Sequence, residues 1–164
     1  MSFDSDRFRH VLGHFPTGVT IVCGMAGDEP TGLTIGSFAS VSLDPPLVGF
    51  FPMATSDTWE AIAPSGSFCV NVLGAQHSAI CWRFAKHGLD DRFDDLAWHA
   101  SAATGSPIID DAVAWIDCVT EDVHTVGDHY FVLGRVMDLR ESAEAAQPLL
   151  VYRGKLGGFI LQSP

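Results

Sequence analysis

The chain alternates between short apolar runs rich in β-branched residues and polar or turn-forming breaks. Phe8, Val11, Leu12 and Phe15 recur at helical spacing, which predicts a short amphipathic helix over residues 5–14, stopped before Pro16. TGVTIVCG follows and predicts a strand closed by the turn-forming GDEP. GLTIGSFASVSL is a second extended stretch, broken by DPP, after which LVGFF resumes as a strand. SDTWEAIAPSG has a Ser or Asp cap and a Gly stop, the marks of a helix. SFCVNVLG predicts a buried strand, and HSAICWRFAKHG has helical periodicity with a terminal Gly. DDRFDDLAWHASAATGSP mixes charge, Gly and Pro and is expected to be an ordered loop. VAWIDCVTEDVHTV and HYFVLGRVMDLR form a strand pair around VGD, and PLLVYRG and GGFIL are expected edge strands.

Six or seven short strands with two or three helices imply an antiparallel β-barrel with helical decoration. A doubly wound α/β fold would need helices between most strands, and they are not there. No composition shift or internal repeat divides the 164 residues, so 1–164 is expected to form a single domain.

Composition narrows the partners. The formal net charge is −11, which repels nucleic-acid backbones and anionic lipid. Cys23, Cys69, Cys81 and Cys118 show no CxxC pairing, and three lie inside apolar runs. Buried free thiols are therefore expected, as in a reducing cytoplasm. The opening MSFDSDRFRH has no apolar core and is not a secretion signal, and no apolar run is long enough to span a bilayer. A cytoplasmic location follows as the expectation.

Most catalytic signatures are missing. There is no GxGxxG, no GxxxxGK[ST] and no GxSxG. His10 and His14 stand at i, i+4, but no HExxH glutamate or third ligand accompanies them, so two partly exposed histidines on a helix account for the pair. Asp90, Asp91, Asp94 and Asp95 surround Arg92 and Phe93 in a spacing that matches no EF-hand, which favours a solvated acidic loop over a calcium site. No metal site is expected.

The stretch from Thr31 to Pro52 carries more. Thr34, Ser37, Ser40 and Ser42 share a strand and turn with several glycines. Hydroxyls and bare amides so close together can meet a phosphate or the polar edge of a ring without bringing positive charge. Composition alone favours an ordinary Ser/Thr-rich strand with a polar face.

Other segments change the balance. FRxVLGHFPTGVTIV, GLTIGSFASVSLDPPL, SGSFCVNVL, GDHYFVLGRV and PLLVYRG follow one another in that order. Together, from about Phe8 to Gly157, they resemble the flavin reductase family, which includes the small reductase components of two-component flavin monooxygenases. The resemblance implies a mainly β, antiparallel Greek-key split β-barrel with a few peripheral helices. It further implies an NAD(P)H:flavin oxidoreductase that takes hydride from NADH or NADPH, passes it to FMN or FAD, and supplies reduced flavin to a partner monooxygenase. A homodimer with flavin near the subunit boundary is expected on the same ground. Alternatives are a split-barrel flavoprotein that keeps its flavin and reduces another small substrate, or a non-catalytic flavin-binding module.

The resemblance also assigns residues. The segment matching Thr34, Ile35, Ser37, Ser40, Val41 and Ser42 lies along the flavin in such proteins. Phe50, Pro52, Ser56 and Thr58 match positions around the ribityl tail and phosphate, and Phe84 and Ala85 match a stretch that approaches the cofactor. His129 matches a histidine beside the nicotinamide, where it would orient that ring as the candidate catalytic residue. Both cofactors are anionic, yet the segment PMATSDTWE, where relatives carry a base near the phosphate, offers Ala54 and Asp57. Ser56 and Thr58 ahead of a helix, or Arg83, Lys86, Arg92, Arg153 and Lys155 from elsewhere, are the candidates to compensate.

Overall fold

The structure is a computed structural model that describes residues 4–86, 88, 91–143 and 147–160. Asp90 of the acidic loop and Leu161 of GGFIL lie outside the described residues.

Helix α1 (Ser5–Leu12) is capped by Asp4, whose carboxylate accepts from Asp6 N at 3.1 Å. Its apolar stripe does not enter the core: Phe8, Val11 and Leu12, with Phe15 beyond, are all exposed. The chain then forms β1 (Thr17–Gly18), β2 (Thr20–Ala26) and β3 (Glu29–Ile35), the last two joined by the turn at GDEP. GLTIGSFASVSL proves to be two strands, because residues 36–38 interrupt it before β4 (Ala39–Leu43). β5 (Pro46–Phe50) follows, then α2 (Asp57–Ile62), β6 (Ser67–Val72) and α3 (Ser78–Ala85). The acidic excursion is part loop and part hairpin, with β7 (Trp98–Ala100) paired to β8 (Pro107–Ile109). β9 (Ala114–Val126) and β10 (His129–Glu141) make the expected long hairpin. β11 (Leu150–Tyr152) and β12 (Lys155–Gly157) close the order. The last strand thus ends where GGFIL was expected to begin one.

Seven strands join in the antiparallel order β3-β2-β6-β9-β10-β5-β4, and β1, β11 and β12 make a smaller sheet. The fold is mainly β and antiparallel, as the strand count implied, with three peripheral α-helices among the described residues. β3 and β4 stand at opposite edges of the large sheet, and among the described residues no ladder joins them, so a closed barrel is not detected. The three-residue break at 36–38 carries the chain from one edge to the other.

Strand β2 is buried on both faces, which is why Ile21, Val22 and Cys23 run on as apolar residues instead of alternating with polar ones. Val22 packs with Phe50, Trp59, Ile62, Phe68 and Val132 under α2, and the rings of Phe50 and Phe68 meet edge-on at 5.2 Å. Ile21 and Cys23 face a second core with Leu73, Cys81, Phe84 and Ile109 under α3. Truncating an aromatic such as Phe68 costs about 3–5 kcal/mol in such a setting. All four cysteines are free and buried. Burial, with Asp117 beside it, pushes the Cys118 thiol up to about 12, so it is inert at neutral pH. Among the described residues no helix is long and apolar enough to cross a membrane.

Candidate active site

Beside the edge strand β3 lies a cavity of about 390 Å³, bounded by β3, the segment after β5, the end of α3, Arg92 and the tip of the β9–β10 hairpin. Each boundary has a local cause. Gly32 lets the Phe84 ring come close to β3: a Cβ there would come within 3.0 Å of Phe84 Cε1 and of Val22 O. α3 is therefore drawn onto β3, and Thr34 Oγ1 ties the two by donating to Cys81 O at 2.8 Å. Ser37 holds the segment after β5, since its hydroxyl accepts from Phe51 N at 3.0 Å. Ser56 caps α2 by accepting from Trp59 N at 3.2 Å.

Arg92 gathers three of these elements. It is 6% exposed, and Nη1 donates to Gly32 O at 2.6 Å and to Thr58 Oγ1 at 2.7 Å while Nη2 donates to Lys86 O at 2.6 Å. Its place in an acid-rich loop hid this role. The clue is the neighbouring Phe93, an apolar ring that packs edge-on against Phe84 at 5.2 Å and draws the loop inward.

The hairpin tip completes the cavity. Ala54 N donates to Asp128 O at 2.9 Å and Tyr130 N to Pro52 O at 3.0 Å, which docks the turn on residues 52–54 and brings His129 to the rim. His129 Nδ1 lies 2.7 Å from Asp128 Oδ1. A carboxylate can only accept, so the proton sits on Nδ1 and Nε2 is the nitrogen left for a ligand. The same contact holds the Asp128 carboxyl below the usual carboxylate range, and keeps it ionised at neutral pH.

The flavin reductase like domain matches residues 12–159, nearly the whole chain. The chain belongs to the flavin reductase family. It is 47% identical over 159 residues to a flavin reductase of Pseudomonas putida, covering 96% of this chain and 92% of that one. Nitrilotriacetate monooxygenase component B from Mycobacterium thermoresistibile superposes with a TM-score of 0.93 at 44% identity, over 98% of this chain and 90% of that one. The NADH:FAD oxidoreductase SgcE6 of Streptomyces globisporus, solved with NAD and FAD fragments, superposes with a TM-score of 0.91 at 34% identity, over 98% and 96%.

For a flavin reductase the cavity has the right parts. A flavin needs apolar walls for its ring faces and cations or amides for its phosphate. Leu33, Ile35, Pro52 and Phe84 provide the first, and Lys86 and Arg92 the second. The residues fit the group.

Nine of the expected site residues line this one cavity: Thr34, Ile35, Ser37, Pro52, Ser56, Thr58, Phe84, Ala85 and His129. Four do not. Phe50 is fully buried in the α2 core, because its alternation along β5 turns it away from Phe51. Ser40, Val41 and Ser42 lie on β4, beyond the three residues that interrupt the strand and at the other end of the sheet order, and do not line the cavity. The structure adds Leu33, Gly36, Phe51, Met53, Lys86 and Arg92 to the lining. Lys86 and Arg92 line the same cavity as Pro52, Met53, Ser56 and Thr58 of PMATSDTWE, the segment without a base. Arg83 instead donates to Asp94 O at 2.8 Å, and Arg153 and Lys155 line a separate groove near β12.

Proposed function

We propose that this chain takes hydride from NADH or NADPH, delivers it to FMN or FAD in the cavity beside β3, and releases reduced flavin to a separate monooxygenase. One observation carries the reading: a single cavity joins His129 at its rim to Lys86 and Arg92, with apolar walls between. The names of the relatives point the same way, one being a monooxygenase component and another an NADH:FAD oxidoreductase.

When bound, flavin supplies the hydride-accepting chemistry, and the protein supplies binding, orientation and electrostatics. Leu33, Ile35 and Phe84 exclude water from the ring site. Lys86 and Arg92 offset the phosphate charge in a protein whose net charge would otherwise repel it. His129, oriented by Asp128, holds the nicotinamide at the rim through Nε2 and its ring face. The hydroxyls of Thr34, Ser37, Ser56 and Thr58 act first on the fold and only then on the ligand, since each already holds a partner.

A second copy of the chain completes the molecule in this reading. The apolar residues of α1 are exposed, as are Val41 and Leu43 on β4 and Val123 and Val126 on the hairpin. So much uncovered apolar surface fits a homodimer, and would place Ser40, Val41 and Ser42 at the subunit boundary. The four free thiols fit the cytoplasm.

The test is NADH oxidation in the presence of FMN or FAD, with light scattering to measure mass. Turnover above the protein-free rate and a mass of two chains are expected. No turnover with either flavin overturns the enzyme, and a monomer overturns the dimer.

A further inference from the structure

The hairpin tip that carries His129 rests on residues 52–54, a segment weakly tied on that side. The β5–β10 register sets Phe50 opposite Val132 and, carried on past the end of β5, sets Met53 opposite His129, where the two form an isolated bridge. Between them stands Pro52. Its carbonyl accepts from Tyr130 N at 3.0 Å, but it has no N–H to return. That pair has one ladder bond where an antiparallel pair can have two.

Support comes from the opposite edge of the segment. The β4–β5 register sets Ala39 opposite Gly49 and, carried two residues on, sets Ser37 opposite Phe51. β4 begins only at Ala39, so Ser37 meets Phe51 through its side chain instead of a strand ladder. The hydroxyl accepts from Phe51 N at 3.0 Å and donates to Phe51 O at 3.4 Å, one side chain standing in for a backbone pair. Ser37 is fixed by its own neighbours. Gly36 lies against β1, where a Cβ would come 3.1 Å from Thr17 Oγ1, and Phe38 packs on the core under α2. Phe51 passes the constraint on by two routes. One runs along the chain to Pro52 and Met53; the other is its ring, which stacks on Phe131 at 5.0 Å, two positions from His129. Ser37, Phe51, Met53 and His129 all line the cavity.

We infer that Ser37 is a positioning residue for His129: by fixing Phe51, its hydroxyl sets where the imidazole meets the nicotinamide. The inference rests on the reductase reading, and its test separates the two. The experiment is a double-mutant cycle on the intact protein at saturating flavin. Ser37→Ala should lower kcat/KM for NADH about fivefold, the scale of one neutral hydrogen bond, mainly through KM. Ser37→Thr keeps the hydroxyl and should stay within about twofold of wild type. In the His129→Ala background, Ser37→Ala should change kcat/KM for NADH by less than about twofold, because the ring that it positions is gone. Flavin affinity of Ser37→Ala, read by fluorescence quenching, should stay within about twofold of wild type. Far-ultraviolet circular dichroism establishes that each variant is folded. The cycle is repeated with Ser37→Cys, which keeps the volume and weakens the bond, and so stands if Ser37→Ala does not fold.

Additive losses in the double variant overturn the inference and leave the reductase intact, since Ser37 would then act without His129. So does a loss of flavin affinity with NADH kinetics unchanged, which would make the hydroxyl a flavin ligand and no more. Ser37→Thr falling as far as Ser37→Ala overturns it as well, by removing the hydroxyl as the cause. Failure of the wild type to oxidise NADH with either flavin overturns the reductase reading instead.

Discussion

The two sides of the cavity are built in opposite ways. On one, β3, α3 and the Arg92 loop present buried groups: Ile35 is 5% exposed and Phe84 2%. On the other, the hairpin tip presents surface groups, with Met53 48% exposed and the His129 side chain 39%. The first side belongs to the core, so a change there disturbs binding and stability together. The second is held by backbone bonds to residues 52–54, so its side chains can change without moving the chain. The scaffold that grips one ligand is thereby separate from the groups that meet a second, exchanging one. An enzyme that must seat a flavin and a nicotinamide side by side, and let each leave on its own, gains from that separation.

The comparison breaks most sharply at Arg92. Arg92→Met leaves the carbonyls of Gly32 and Lys86 and the hydroxyl of Thr58 without their buried donor. The expected loss is about 3 kcal/mol of stability, measured by urea unfolding, with flavin affinity falling at least tenfold. An unchanged unfolding midpoint would show that this side is no firmer than the other.

His129→Ala tests the opposite side. Its melting temperature should match wild type, because the hairpin is docked through Ala54 N and Tyr130 N, not through the imidazole. The kcat/KM for NADH should fall about 30-fold, or roughly 2 kcal/mol, with flavin affinity within about twofold of wild type. A parallel loss of flavin affinity would mean that the rim and the core side bind one ligand jointly.

How legible each side was in the sequence follows from the same difference. The hairpin at the rim was legible locally, from the turn VGD between two alternating strands, whereas His129 was singled out only through the family resemblance that GDHYFVLGRV helps to carry. The hydroxyls around the cavity were visible too, though what they do was not. Thr34, Ser37 and Ser56 bond to backbone groups first, and only the tertiary fold shows which. Arg92 was the harder residue. Its partners lie 60, 34 and 6 positions away, and no window of sequence brings Gly32, Thr58 and Lys86 together. Ser40, Val41 and Ser42 show the converse, since they follow Ser37 closely in sequence yet lie on β4 at the other end of the sheet order and do not line the cavity.

Gly32→Ala sharpens the comparison at smaller scale. The new methyl would press on Phe84 Cε1 and Val22 O at 3.0 Å and on Cys23 Sγ at 3.1 Å, two of them fixed by strand and core. A cost of about 1–2 kcal/mol is expected, together with a two- to fivefold weaker flavin as α3 shifts outward. Thermal unfolding and fluorescence quenching read the two effects. A stable variant with normal flavin affinity would show that α3 does not set the cavity.

The smallest effect is expected at Asp128, which touches no ligand and acts through the imidazole. Asp128→Asn keeps the side-chain volume but removes the charge that fixes the Nδ1 proton, so Nε2 no longer faces the nicotinamide in one defined state. The kcat/KM for NADH should fall about threefold while kcat stays within twofold, since positioning is lost and the reacting groups are not. The pH dependence fixes the sign. His129 holds the Asp128 carboxyl below its ordinary range in the folded protein, so the stabilisation is present above the unfolded carboxylate pKa and is lost as pH falls through the folded one. Any difference in melting temperature between Asp128→Asn and wild type should therefore be present at pH 7 and vanish in acid below the carboxylate range. A difference that grows on acidification would show that the Asp128–His129 contact does not orient the ring.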